Sequence, residues 1–186
     1  MAAVFDYSYF PTITTARLKL RRLTHADAEA VMDIFGSPDV LRFLSQPLRD
    51  TRDKALELID WFAAGFAEQR GVQWGVTRPD DDHVIGTCGF YAWDQPNRKV
   101  DIGYQFVPTE WGKGYATEAA NGIIRWCFDN LDVHRIQADC TAGNDASERV
   151  MTKCGFRFEG LWRESCWEHE RFVDIKQFGL LRREYL

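Results

Sequence analysis

The stretch Asp101-Ile-Gly-Tyr-Gln-Phe-Val-Pro-Thr-Glu-Trp-Gly-Lys-Gly-Tyr-Ala-Thr-Glu-Ala119 constrains this chain more than any other. Val100–Val107 predicts a strand ended by Pro108, and Gly112 and Gly114 lead directly into a helix over Ala116–Asn130. Glycines at such a turn let a ligand approach the backbone. The unpaired N–H groups and dipole of the following helix favour phosphate oxygens. Small Ala116, Ala119 and Ala120 let that helix sit close to a sheet. The pattern is no P-loop, because G-x-x-x-x-G-K-[ST] is absent. It is no dinucleotide fingerprint either, because Thr117 stands where the third glycine would be. On spacing alone, phosphate binding and an ordinary strand-to-helix turn are equally good readings.

The flanking sequence predicts a mixed α/β chain. Arg17–Arg21 alternates as a half-buried strand. Thr24-His-Ala-Asp27 then opens a helix that carries Ala28, Val31, Met32 and Phe35 and stops at Gly36-Ser37-Pro38. A second helix is expected over about Thr51–Gln69. Strands over Val72–Thr77 and Val84–Trp93 precede the central one, and Gly86 and Gly89 mark a bulge or a close backbone approach. Downstream come a strand over His134–Thr141, a helix over Asp145–Lys153, a strand over Gly155–Trp162 and a hairpin over roughly Glu164–Leu181. Neither a βα alternation nor an all-β pattern results, so one continuous sheet flanked by helices is the economical answer. Residues 1–15 show no period and are taken as an N-terminal extension to a single domain over 16–186.

Charge narrows the partners. The 186 residues carry a net charge of −5, uneven along the chain: −7 over residues 1–148 and +2 over 149–186. An acidic chain without a basic block does not suit phosphate-neutralising nucleic-acid binding. The longest uncharged runs, Tyr7–Ala16 and Val84–Trp93, are too short for a membrane-spanning helix. No signal peptide is expected at the N-terminus. Cysteines at 88, 127, 140, 154 and 166 form no C-x-x-C and predict reduced thiols in a cytoplasmic protein. The Cys166–His169 stretch lacks a second ligand pair, so no metal is expected. No G-x-S-x-G provides a hydrolase nucleophile.

A second motif, Asn144-Asp-Ala-Ser147-Glu-Arg-Val-Met-Thr-Lys153-Cys-Gly155-Phe156-Arg-Phe-Glu159-Gly160, follows the glycine loop. The two together resemble the GNAT superfamily of N-acetyltransferases, in particular its RimJ/RimL-type branch. The superfamily's loop, Gln/Arg-x-x-Gly-x-Gly/Ala, maps onto Trp111-Gly112-Lys113-Gly114-Tyr115-Ala116, with Trp111 replacing Gln/Arg. The second motif is similar to the branch's N-x-x-S…K-x-G-F…E-G pattern, and weaker similarity extends over about Thr15–Leu181. The resemblance implies a mixed, mostly antiparallel sheet that splays beyond its central strand, with acetyl-CoA in the cleft. It implies that Gln105, Phe106 and Val107 present backbone to the pantetheine arm and that the amides from Gly112 to Thr117 hold the pyrophosphate. Asn144 would bond the pantetheine, and Ser147 would stand near the sulfur. Asn and Ser so spaced are also ordinary helix caps.

The implied reaction is direct attack of an amine on the thioester. A protein N-terminal α-amine is favoured as acceptor, with a polyamine or aminoglycoside-like amine as the runner-up. An ammonium must first lose its proton, the oxyanion needs a donor such as the amide near Val107, and the leaving thiolate a hydroxyl such as Ser147. Asp101 on the central strand and Glu164 beyond the second motif are the candidate bases; each is also read as a solvated carboxylate. The alternative is a non-catalytic CoA-binding sensor or scaffold of the same shape. The oligomer is expected to be a monomer or homodimer.

Overall fold

The computed structural model describes residues 5–185, so residues 1–4 of the expected extension and Leu186 lie outside it. Eight strands form one sheet in the order β1-β2-β3-β4-β5-β6-β8-β7. They are β1 (Ile13–Thr14), β2 (Lys19–Arg22), β3 (Val72–Arg78), β4 (Asp81–Asp94), β5 (Lys99–Phe106), β6 (Arg135–Thr141), β7 (Arg157–Glu168) and β8 (Arg171–Leu181). The helices are α1 (Ala28–Phe35), α2 (Pro38–Leu41), α3 (Arg52–Ala67), α4 (Tyr115–Asn130), α5 (Asp145–Lys153) and α6 (Arg182–Tyr185). Every neighbouring pair is antiparallel except β5–β6.

That exception makes the cleft. β5 and β6 pair only from Lys99–Arg135 to Asp101–Gln137 and part beyond it. Apolar clusters on both faces fix the sheet on either side of the opening. Trp74 and Val76 face α4, with Ile123, Ile124 and Cys127. The intervening Gly75 faces Leu23 and Val84, in the cluster of α1 and α3. A Cβ at Gly75 would lie 2.6 Å from Leu23 Cδ2, so glycine permits that close approach.

Four local expectations are corrected. The described part of the N-terminal extension is core: Phe5 is buried, Trp74 Nε1 donates to Pro11 O at 2.7 Å, and Ile13–Thr14 adds a strand beside β2. Aromatics without a period gave no signal because they bury as a cluster rather than as a face. The first helix stops at Gly36 as expected, but Pro38 also opens a short helix that was not expected, α2, at the first helical position, where its missing N–H costs nothing. The strand expected to end at Trp162 continues to Glu168 through a bulge between Trp162 and Cys166, so it forms the first arm of the closing hairpin, whose turn at His169-Glu170 lies within the expected span. The chain also ends in a short helix, α6, where none was expected.

Candidate active site

The parted strands border a cleft of about 760 Å³. Its walls come from β5, the loop into α4, β6, the start of α5, residues 39–46 after α1, and the inner side of β7–β8.

At one end the chain supplies main-chain donors. Gly112 and Gly114 adopt left-handed φ angles of 75° and 82°. A Cβ on Gly112 would meet nothing within 4 Å, so glycine is there for its backbone freedom and the space above the loop is open. The helical hydrogen bonds of α4 begin with Glu118 N–H to Gly114 O, leaving the amides of Tyr115, Ala116 and Thr117 without a helical acceptor. Those amides and the helix dipole fit the diphosphate of CoA. Arg17 braces the loop: it donates to Glu118 Oε2 at 2.7 Å and Lys113 O at 3.1 Å, and its guanidinium lies 4.8 Å from the Tyr115 ring centre. Burial acts to raise the Glu118 carboxyl, but hydrogen bonds from Thr15 and Arg17 outweigh it and hold the group below the usual range. Arg149 and Lys153 of α5 line the cleft and add positive charge.

Along β5 the main chain divides between two neighbours. Val107 N–H donates to Ile85 O on β4 at 3.1 Å. Because N–H and C=O alternate in direction along an antiparallel strand, the groups of Tyr104 and Phe106 point into the opening, just past the last residues paired with β6. The Val107 amide is spent on β4 and Val107 is not among the cleft-lining residues, so the structure does not bring this expected residue to the cleft wall. Gln105 lines the cleft and accepts from Thr87 Oγ1 at 3.1 Å. Trp111 gives its Nε1–H to Phe106 O at 2.8 Å, pinning the loop to the strand end. Lys113 is exposed, off the cleft wall, and paired with Glu110 at 3.0 Å.

Asn144 caps α5, its Oδ1 accepting from Ser147 N–H at 3.2 Å, and both residues line the cleft. Ser147 Oγ lies 2.9 Å from Tyr104 Oη, which also reaches Ser147 O at 3.2 Å. Burial drives the Tyr104 phenol well above its ordinary value despite the Ser147 bond, so it remains a neutral donor. Sequence reading missed Tyr104 because an aromatic on a strand looks like core.

The candidate bases are not brought together. Glu164 is exposed at the β7 bulge with φ of 50°, off the cleft wall. Its own N–H donates to Asp174 Oδ1 at 2.8 Å. The bulge, invisible in residue spacing, places this expected base away from the cleft wall. Asp101 stands where β5 and β6 still pair, one step behind the wall, and accepts from Gln137 Nε2 at 2.9 Å. On the same face Asp139 does line the cleft. Desolvation, with repulsion from Asp101 and Glu168, raises its carboxyl above the ordinary aspartate value. Glu168, Thr141 and the 39–46 loop complete this end, and none was singled out from sequence. Among the described residues no group of side chains has the makings of a metal site. No helix among the described residues is long and apolar enough to cross a membrane.

Comparison with known proteins agrees with this geometry. The acetyltransferase (GNAT) domain family matches residues 17–157. The N-acetyltransferase YoaA of Bacillus subtilis is 34% identical over 173 residues, 93% of this chain and 98% of its own length. A GNAT acetyltransferase structure from Bacillus anthracis superposes with a TM-score of 0.84 at 25% identity, covering 94% of this chain and 100% of that one. The ribosomal L7/L12 α-N-protein acetyltransferase RimL, solved with coenzyme A, shares the fold with a TM-score of 0.83 at 16% identity, over 92% and 98% of the two chains. A parted sheet, a glycine loop feeding a helix N-terminus and a whole-length relative thus converge: this chain belongs to the GNAT acetyltransferase family and is an acetyl-CoA-dependent acetyltransferase.

Proposed function

We propose that the protein acetylates a primary amine, in the manner of the RimJ/RimL branch, with a protein N-terminal α-amine as the favoured acceptor. The observation that carries this reading is the parting of β5 from β6. It exposes the main chain of Tyr104–Phe106 between a phosphate-suited helix end and an acidic wall. The fold shared with RimL supports the α-amine; a small polyamine is the runner-up, since a similar protein, 22% identical over 171 residues, is a spermidine N(1)-acetyltransferase.

Acetyl-CoA supplies the activated acetyl group as a thioester. The chain supplies the rest. Gly112–Thr117 amides and Arg17 hold the diphosphate end, with Asn144 and the Phe106 region along the arm. The Tyr104 amide faces the opening beyond the last β5–β6 pair and can stabilise an oxyanion. Ser147, backed by Tyr104, donates a hydrogen bond to the departing sulfur. Asp139, its carboxyl raised and Asp101 behind it, takes the proton from the acceptor. Free thiols at all five cysteines suit a cytoplasmic setting.

Incubation with acetyl-CoA and a mixture of free-α-amine peptides and polyamines, followed by mass spectrometry, tests the proposal. Acetyl addition at peptide α-amines is expected. The reading fails if CoA is released with no amine modified, or if saturating acetyl-CoA leaves the thermal midpoint unchanged.

A further inference from the structure

Glu168, the last residue of β7, is 5% exposed and lines the cleft. A carboxylate so placed is costly to the fold unless its charge is met. No Lys, Arg or His nitrogen of the described residues lies within ion-pair distance of it, although sixteen such pairs form elsewhere in the molecule. Its neighbour is Thr141 Oγ1, 3.1 Å from one carboxylate oxygen and 3.0 Å from the other. One hydroxyl has one proton, so at any moment it serves only one of the two oxygens. Thr141 has a further possible acceptor in Phe43 O at 3.4 Å.

The surroundings hold this carboxylate in place. Ser45 Oγ donates to Trp167 O at 3.0 Å, and His169 Nε2, facing Leu41 O at 3.0 Å, fastens the other side of the turn. The residues flanking Glu168 are thus clamped to the loop after α1, and the side chain between them is fixed against the cleft. Asp139, on the same wall, adds negative charge close to it.

We infer that Glu168, seated on Thr141, forms an ammonium subsite that receives a positively charged group of the acceptor and selects cationic over neutral acceptors. The inference rests on the proposed amine acetylation and adds the residue that recognises the acceptor's charge. It assigns Glu168 to recognition and leaves proton removal to Asp139.

Binding to the CoA-saturated protein tests it without turnover. Calorimetry compares two cations, spermidine and a free-α-amine alanyl tripeptide amide, with the N-acetylated tripeptide amide. In the wild type at least one cation is expected to bind at least tenfold more tightly than the neutral peptide. Glu168→Gln keeps the shape and the Thr141 contact, and is expected to remove that preference while CoA affinity stays put and the thermal midpoint does not fall. Glu168→Asp should restore part of it. Glu170→Gln, the same charge change at the exposed hairpin turn, should preserve the preference. Equal binding of cations and neutral peptide by the wild type overturns the subsite, as does a preference that survives Glu168→Gln. For any acceptor that turns over, Glu168→Gln should raise KM and leave kcat near wild type. A fall in kcat at constant KM with a displaced pH profile would make Glu168 the base instead and overturn the recognition role. Loss of CoA binding by the wild type would strike the proposed function itself, a failure distinct from these.

Discussion

At the donor end of the cleft, Gly112, Gly114 and the first turn of α4 offer amides fixed by backbone conformation. At the acceptor end, Asp139, Thr141 and Glu168 offer side chains fixed by contacts between segments distant in sequence. The first kind of site depends on few side chains and tolerates variation around its glycines. The second depends on each side chain and can be retuned by single substitutions. A shared cofactor can thus be held by one loop while acceptor choice varies among relatives.

The sharpest way to break the contrast is Gly114→Val. A β-branched residue at φ of 82° is strained whatever the space around it, and the strain falls on the residue that starts α4. A cost of about 1–3 kcal/mol there should weaken acetyl-CoA binding by roughly one to two orders of magnitude. Calorimetry that finds an unchanged Kd would show that the loop does not hold the diphosphate. Ser147→Ala comes next, because it touches the junction of the two ends. The helix-capping role belongs to Asn144 and survives, so the rate should fall about a hundredfold, at the low end for lost acid assistance, with little change in KM for acetyl-CoA. An unaltered rate removes Ser147 from the chemistry.

Thr141→Val probes the acceptor end alone. It removes the one hydroxyl beside Glu168 and leaves a buried carboxylate without a donor. The expected loss is about 1–3 kcal/mol of stability. For a chain of this size that is a fall in Tm of roughly 2–12 °C by calorimetry. Combining it with Glu168→Leu should recover part of the loss, because the orphaned charge has gone. Strict additivity of the two would show that Thr141 and Glu168 do not act as a pair.

The same contrast explains what was legible in the sequence. The donor end is local: Gly112, Gly114, Asn144 and Ser147 stand in two short runs, so motif spacing finds them. The acceptor end is assembled by tertiary contacts, with Ser45 meeting Trp167, Leu41 meeting His169 and Thr141 meeting Phe43. None of these pairs shares a period, a motif or a turn. The resemblance alone puts Glu164 on the acceptor side, and the bulge between Trp162 and Cys166 that sets it off the cleft wall leaves no mark in residue spacing. For Val107 the hidden variable is pairing: sequence shows side-chain alternation, but which neighbour receives each N–H depends on the partner strand. Element order was more legible than either, because hydrophobic period and glycine placement are local; the aromatics of residues 5–10 escaped because they cluster without one.

The smallest effect is the most diagnostic, because the two ends titrate in opposite senses. Glu118 at the donor end has its folded-state pKa held below the ordinary glutamate value. It therefore stabilises the fold above that ordinary value, and the contribution is lost as pH falls through the lower folded value. Asp139 at the acceptor end has its folded-state pKa raised above the ordinary aspartate value. Its protonated form carries no penalty below that ordinary value, and stability is lost as pH rises through the raised folded value. Glu118→Gln should accordingly lower Tm at about pH 7.5, with the deficit shrinking toward about pH 3.5. Asp139→Asn should do the reverse in sign, raising Tm at about pH 7.5 and converging on wild type at about pH 3.5. If both variants shifted Tm in the same direction at neutral pH, the two ends would not differ electrostatically. If only Asp139→Asn behaved as described, the unmet charge would lie at the acceptor end alone, where a cationic acceptor would relieve it.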